Sequence, residues 1–249
     1  MNKLHFYFVF FMVFVSGIAY AEQNYSFSNF TYSTPQTYNY KPAETVSSKE
    51  KILFILDLSN SMNEKIGGRT KLDIAISTLK ETLQMIPPHA EVGMRVYGHK
   101  TGFTPRQGCT ASQLISPIDK NNAIGIYSKL NSLSAVGWTP ITYSLKQAAY
   151  FDFPQGDYKK RIILISDGGE NCDESPCEYI INLMKYRDDI RIDVIALAIG
   201  DMDANNQLKC VALVTSGKFY NANDASELKN SLKDSLNLQK EVSGVIIKQ

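Results

Sequence analysis

The apolar run Ile52-Leu-Phe-Ile-Leu ends abruptly in Asp57-Leu-Ser59-Asn-Ser61. A buried strand would deliver three hard oxygen donors to one point at its carboxyl end. Such donors suit a hard divalent cation, and the His and Cys residues of a zinc site are missing. Asp and Ser also fill ordinary strand-to-helix turns, so the motif needs support from elsewhere. Two other loops supply it. Arg161-Ile-Ile-Leu-Ile-Ser-Asp167-Gly-Gly-Glu170 ends a second buried strand in an acidic turn, and Gly137-Trp138-Thr139-Pro140 puts a hydroxyl just before a helix. Together the loops offer Asp57, Ser59, Ser61, Thr139 and Asp167. Two carboxylates, three hydroxyls and no imidazole fit octahedral magnesium best, with manganese or calcium as alternatives.

The elements that must position these residues alternate. Strands are expected at 52–58, 91–97, 113–118 (short, at an edge), 161–166, 190–199 and 218–221. Helices are expected at 72–85, 122–133, 140–151, 176–186, 205–215 and 225–238, with Pro87-Pro88 ending the first and Gly217 closing the fifth. Near-continuous apolar strands alternating with helices imply an α/β, doubly wound, mostly parallel central sheet covered on both faces. In such sheets ligands collect at the carboxyl ends of the strands, where all three loops fall.

The set Asp57-x-Ser59-x-Ser61, Thr139 and Asp167, in this order on this background, resembles a von Willebrand factor type A domain over 49–240. Val96-Tyr-Gly-His99, Thr139-Pro-Ile-Thr-Tyr-Ser-Leu and Ser166-Asp-Gly-Gly-Glu-Asn-Cys172 look like a bacterial exported branch of that family. The resemblance implies a metal-ion-dependent adhesion site. In it, Ser59 and Ser61 coordinate directly, Thr139 directly or through water, and Asp57 and Asp167 largely through water. One position is left for an acidic side chain of a protein partner. Hydroxyl ligands leave a cation under-neutralised, so it seeks a negative oxygen from outside; catalysis would need a positioned base or nucleophile as well. The expected role is therefore recognition rather than catalysis. The alternatives are a structural or assembly component of the cell envelope or a surface appendage, acting through its N-terminal arm, and a metal-dependent hydrolase with Glu170 as base.

Each element alone has a plainer explanation. Asp57 and Thr139 suit helix caps, and Asp167-Gly168 is a common turn. Asp201-Met-Asp203 resembles the start of a calcium loop, but Ala212 stands where the bidentate Glu belongs, so a cap is expected. His89, after the proline pair, is expected to be exposed. His99 is expected to be a satisfied structural residue, and Trp138 is either a packing residue or part of the binding face.

The chain ends and cysteines speak to location. Residues 1–21 read as a secretory signal peptide: Lys3, the apolar run 6–18, then Ala19-Tyr-Ala21. An uncleaved anchor is the rival reading. No later segment is long and apolar enough to span a bilayer. Residues 22–48, rich in Tyr, Ser and Thr, read as an extended arm, and 241–249 as a tail. Asn24-Tyr-Ser and Asn29-Phe-Thr are glycosylation sequons only if the source is eukaryotic. The protein is expected to be periplasmic, cell-surface or secreted, and Cys109, Cys172, Cys177 and Cys210 then imply two disulfides. Cys177 and Cys210 fall on neighbouring helices, which favours that pair and leaves Cys109 with Cys172; a local Cys172–Cys177 link is the competitor. Across 249 residues, 44% hydrophobic with a formal net charge of +1, no run of one sign suggests nucleic acid or a membrane surface. Nothing in the sequence indicates the oligomeric state.

Overall fold

A computed structural model describes residues 50–153 and 156–238. The signal segment, the arm and the tail lie outside the described residues. Six strands form one sheet: β1 (Glu50–Asp57), β4 (Glu91–Tyr97), β5 (Ser112–Asp119), β6 (Lys159–Ser166), β7 (Ile190–Leu197) and β8 (Phe219–Ala222). Their order is β5-β4-β1-β6-β7-β8. Every pairing is parallel except β4 with β5. β2 (Lys65–Ile66) and β3 (Arg69–Thr70) form a separate hairpin. The helices are α1 (Lys71–Leu83), α2 (Pro105–Gly108), α3 (Ala123–Lys129), α4 (Ile141–Gln147), α5 (Pro176–Leu183), α6 (Met202–Val214) and α7 (Ala225–Ser235).

The strand sequences explain the layering. In β1, Phe54 and Leu56 belong to the core under α1, α3 and α7, while Leu53 and Ile55 belong to the core under α4, α5 and α6. A parallel strand buried on both faces must be apolar at every position. β1 and β6 lie at the centre, flanked by the equally buried β4 and β7, and both carry site residues at their carboxyl ends.

Several boundaries differ from those expected. α3 gives way to a 3₁₀ turn at Leu130–Ser132, and α4 runs on as a π-helical turn, Ala148–Asp152. That turn carries Asp152 to Arg95, which donates from Nε at 2.5 Å and from Nη2 at 2.6 Å in a buried, two-pronged ion pair. α6 starts at Met202, with Asp201 capping it through the backbone N–H groups of Asp203 and Ala204. The left-handed residue after α6 is Ser216 (φ 56°), not Gly217. Gly217 is needed for space instead, because a Cβ there would come within 1.9 Å of the Ile192 carbonyl oxygen. The edge strands are irregular or short: β5 carries the exposed Pro117 and two register shifts opposite Met94, and β8 has four residues.

Candidate metal centre

The loop after β1 carries the first three residues. Asp57 is fully buried at the strand end. Its Oδ1 accepts the Ser59 backbone N–H (2.7 Å), which turns the chain, and its Oδ2 accepts from the Tyr97 hydroxyl (2.9 Å) and the Ser166 hydroxyl (2.7 Å). A 3₁₀ turn over Asn60–Asn63 then brings Ser61 round, so that Ser59 Oγ and Ser61 Oγ lie 3.0 Å apart. From β6, the Ser61 hydroxyl donates to Asp167 Oδ1 at 2.8 Å. Four of the five expected residues are thus joined by side-chain or turn hydrogen bonds.

Thr139 arrives differently. Gly137 bridges Ser59 in parallel fashion, Asn60 N–H donates to the Gly137 carbonyl (3.0 Å), and Gly137 N–H donates to the Gly98 carbonyl (2.8 Å). The crossing is so close that a Cβ on Gly98 would come within 2.6 Å of the Trp138 carbonyl oxygen and 2.7 Å of the Ser59 nitrogen; its φ is also +71°. Thr139 N–H donates to Asn171 Oδ1 at 2.7 Å, and α4 has no side-chain cap of its own at Pro140. Thr139 is therefore not the N-cap of α4, and Pro140 precedes that helix rather than starting it.

Three residues with no such role assigned from sequence hold this arrangement. Asn171 anchors Thr139. Glu170 caps α4, its Oε2 accepting Thr142 N–H (2.7 Å) and its Oε1 accepting Cys172 N–H (3.1 Å). Lys71, buried at 5% exposure, donates to Asp167 Oδ2 (2.9 Å) and Glu64 Oε2 (2.7 Å). The sequence offered Glu170 only as the base of a hydrolase and Asn171 only within the Ser166–Cys172 run, and nothing local marks Lys71.

Burial, with the neighbouring Asp167 charge second, pushes the Asp57 carboxyl up to about 6. Burial also raises Glu170, with the Thr142 and Cys172 N–H groups opposing it. Burial works to lower the Lys71 ammonium, but Glu64 and Asp167 outweigh it and hold the group above its ordinary value. A cleft of about 490 Å³ opens beside the cluster, lined by Ser61, Glu64, Lys71, Asp167, Glu170 and the start of α6.

The donor set fits a small hard cation. An octahedron with magnesium–oxygen bonds of roughly 2.0–2.1 Å has edges of about 2.9 Å. The Ser59–Ser61 oxygen separation of 3.0 Å is compatible with that spacing, and the Ser61 hydroxyl, which donates its proton to Asp167 Oδ1 at 2.8 Å, keeps lone pairs for an ion while Asp167 stays outside the direct ligands. Among the described residues, no three His, Cys, Asp or Glu side chains gather at one point, so no site of the thiolate or imidazole kind competes with it there.

The disulfides are Cys109–Cys172 and Cys177–Cys210. The first ties the turn after α2 to the loop holding Glu170 and Asn171. Trp138 lies against that same turn: a Cβ on Gly108 would come within 2.5 Å of its ring, yet 39% of the residue stays exposed. His89 is exposed. His99 is not the satisfied residue expected: both ring nitrogens are shielded and lack a partner among the described residues. Burial, followed by the Lys100 charge, lowers its pKa and so favours the neutral ring.

The von Willebrand factor type A domain profile matches residues 51–234, well over half of the sequence. The chain belongs to that family. The VWA domain is 28% identical over 185 residues to the uncharacterized protein YwmD of Bacillus subtilis (strain 168), covering 72% of this chain and 82% of the relative. YwmC of the same organism is 27% identical over 175 residues, covering 69% and 76%. Among solved structures, proximal thread matrix protein 1 from the mussel byssus matches with a TM-score of 0.58 at 18% identity. That match covers 76% of this chain but only 45% of the mussel protein. The same mussel protein is also known with a zinc-occupied MIDAS motif. The VWA domain of the pilus tip protein Mfa5 from Porphyromonas gingivalis matches with a TM-score of 0.57 at 14% identity, covering 76% and 94%. At these identities the structural likeness speaks for the fold alone. Among the described residues, no helix is long and apolar enough to cross a membrane.

Proposed function

We propose that this VWA domain is an exported binding module that holds a divalent cation, magnesium in the first instance, on Asp57, Ser59, Ser61, Thr139 and Asp167, and through it recognises an acidic side chain of a protein partner. One observation carries the reading: the Ser59 and Ser61 hydroxyl oxygens lie 3.0 Å apart at the end of one central strand, Asp167 at the end of the next accepts from Ser61, and the group sits beside an open cleft. The bound cation supplies a Lewis acid for the incoming carboxylate. The chain's own residues do the rest. Asp57, with three donors on its carboxylate, shapes the loop and adds charge from beneath. Ser59 and Ser61 present neutral oxygens, which leave the ion's charge uncompensated toward solvent.

Glu170 is engaged by two backbone N–H groups as a helix cap, and this weighs against a hydrolase that would use it as base. That solved VWA structures include a pilus tip protein and a byssus matrix protein supports binding or assembly outside the cytoplasm. The signal segment at 1–21 and the two disulfides support the same location.

The test is a pull-down from envelope or medium with the mature protein in magnesium and in chelator. A partner retained with magnesium and released by chelator, and lost with Asp57→Ala or Asp167→Ala while circular dichroism is unchanged, is the expected result. Retention that ignores both chelator and the two substitutions refutes the reading.

A further inference from the structure

Lys71 breaks two rules at one position. It is the first residue of α1, where the helix dipole disfavours a cation, and it is buried at 5% exposure, where an ammonium is costly. The rest of that helix start is orthodox: the Thr70 side chain caps it by accepting Asp73 N–H, and Asp73 places a carboxylate in the first turn. A local violation inside an otherwise regular element marks a residue kept for a site.

The ammonium of Lys71 is committed to Asp167 Oδ2 at 2.9 Å, on the carboxylate whose other oxygen meets Ser61. Its second partner, Glu64, has a side chain 65% exposed and open to solvent screening. Asp57 and Asp167 alone would match the charge of a divalent ion. With Lys71 beside them, and Glu64 its solvent-screened partner, the field at the ion is more positive than the two carboxylates alone would make it, and half of the Asp167 carboxylate is already spoken for.

We propose that Lys71 is a positioning residue that makes cation retention depend on the anionic ligand. It weakens the hold of the bare centre on a divalent ion, and an incoming carboxylate, by neutralising the surplus charge, tightens that hold. The coupling is reciprocal, so the ion and the acidic ligand each raise the affinity for the other. This rests on the metal-dependent recognition proposed above. It adds that the domain sheds its ion when no partner is bound. A mere staple between α1 and the end of β6 would show in stability and leave the ion–ligand coupling untouched.

The experiment measures Mn²⁺ affinity of the full disulfide-bonded chain by titration calorimetry, at fixed ionic strength, with and without saturating acetate as a carboxylate probe. Wild type, Lys71→Met and Lys71→Arg are compared, each checked for folding by circular dichroism. Wild type should bind Mn²⁺ weakly and gain several-fold with acetate. Lys71→Met should bind Mn²⁺ about tenfold or more tightly without acetate, the order expected when a unit charge beside a partly buried ion is removed, and should gain little from acetate. Lys71→Arg should behave as wild type. A folded Lys71→Met protein with unchanged or weaker Mn²⁺ affinity, or undiminished acetate enhancement, overturns the proposal. No Mn²⁺ uptake by any of the three proteins would overturn the metal-site reading itself, and the proposal with it.

Discussion

Gly98 sits where the ends of β1 and β4 meet the approach to α4, and it lets the Gly137–Trp138 backbone lie against the Ser59 loop. Gly98→Ala must both hold φ at +71° and push back the Trp138 carbonyl and the Ser59 nitrogen. A cost of about 2 kcal/mol or more is expected, read as a lower urea midpoint, together with weaker divalent-ion binding. The nearness of Asp57, Ser59, Ser61 and Asp167 was legible because their types and order are distinctive at the ends of apolar strands, whereas the structure ties Thr139 in only through its backbone. Lys71 was not, because a lysine at a helix start reads as solvent-facing and only the three-dimensional neighbour Asp167 gives it meaning. Nor was Asn171, whose amide is 32 residues from the Thr139 N–H that it accepts. His99 misled for the same reason, since its lack of partners is a property of its surroundings.

The loops around the site are fastened at the level of elements. The Cys109–Cys172 bond closes 63 residues and Cys177–Cys210 closes 33. In the chain-entropy picture each stabilises by about 4 kcal/mol. The paired substitution Cys109→Ser/Cys172→Ser should lower the melting temperature and also weaken Mn²⁺ binding, because Glu170 and Asn171 lose their anchor. Cys177→Ser/Cys210→Ser should lower the melting temperature comparably and leave Mn²⁺ affinity unchanged, a contrast that calorimetry resolves. At the opposite end of the sheet, Asp189, just before β7, pairs with Lys160 of β6 and with Arg187 in the turn after α5. Burial acts to raise its carboxyl, but Arg187 and Lys160 outweigh it and hold it at about 2. A depressed carboxylate contributes stability above its unfolded value, near 4, and loses that contribution as pH falls toward about 2. Asp189→Asn should therefore be destabilising at pH 6 and nearly neutral at pH 2 in urea unfolding. Long periodic elements were readable from sequence, since burial on one or both faces writes itself into the pattern. The β2–β3 hairpin was overlooked despite its Gly67-Gly68 turn, because each strand has only two residues. The π-helical turn was invisible, since it answers to Arg95 across the fold.

At the scale of the whole domain, four strands (β4, β1, β6 and β7) are buried on both sides, and their parallel order puts the carboxyl ends of β1 and β6 side by side, which brings Asp57 near Asp167. The antiparallel setting of β5 was less readable, because its burial alternates with exposure and its register shifts depend on β4. That irregular flank has a consequence for crowding. A sheet ending in a long, flat strand offers a row of free N–H and C=O groups on which a second molecule can nucleate a fibre. Here one flank is interrupted by Pro117, which has no N–H to give, and the other is four residues long. Pro117→Val should leave the melting temperature within about 1 °C and raise light scattering and thioflavin fluorescence on prolonged warming. At high concentration such flanks disfavour strand-to-strand pairing between copies, so the sheet edge that carries Asp57 and Asp167 is not taken up by edge-on stacking.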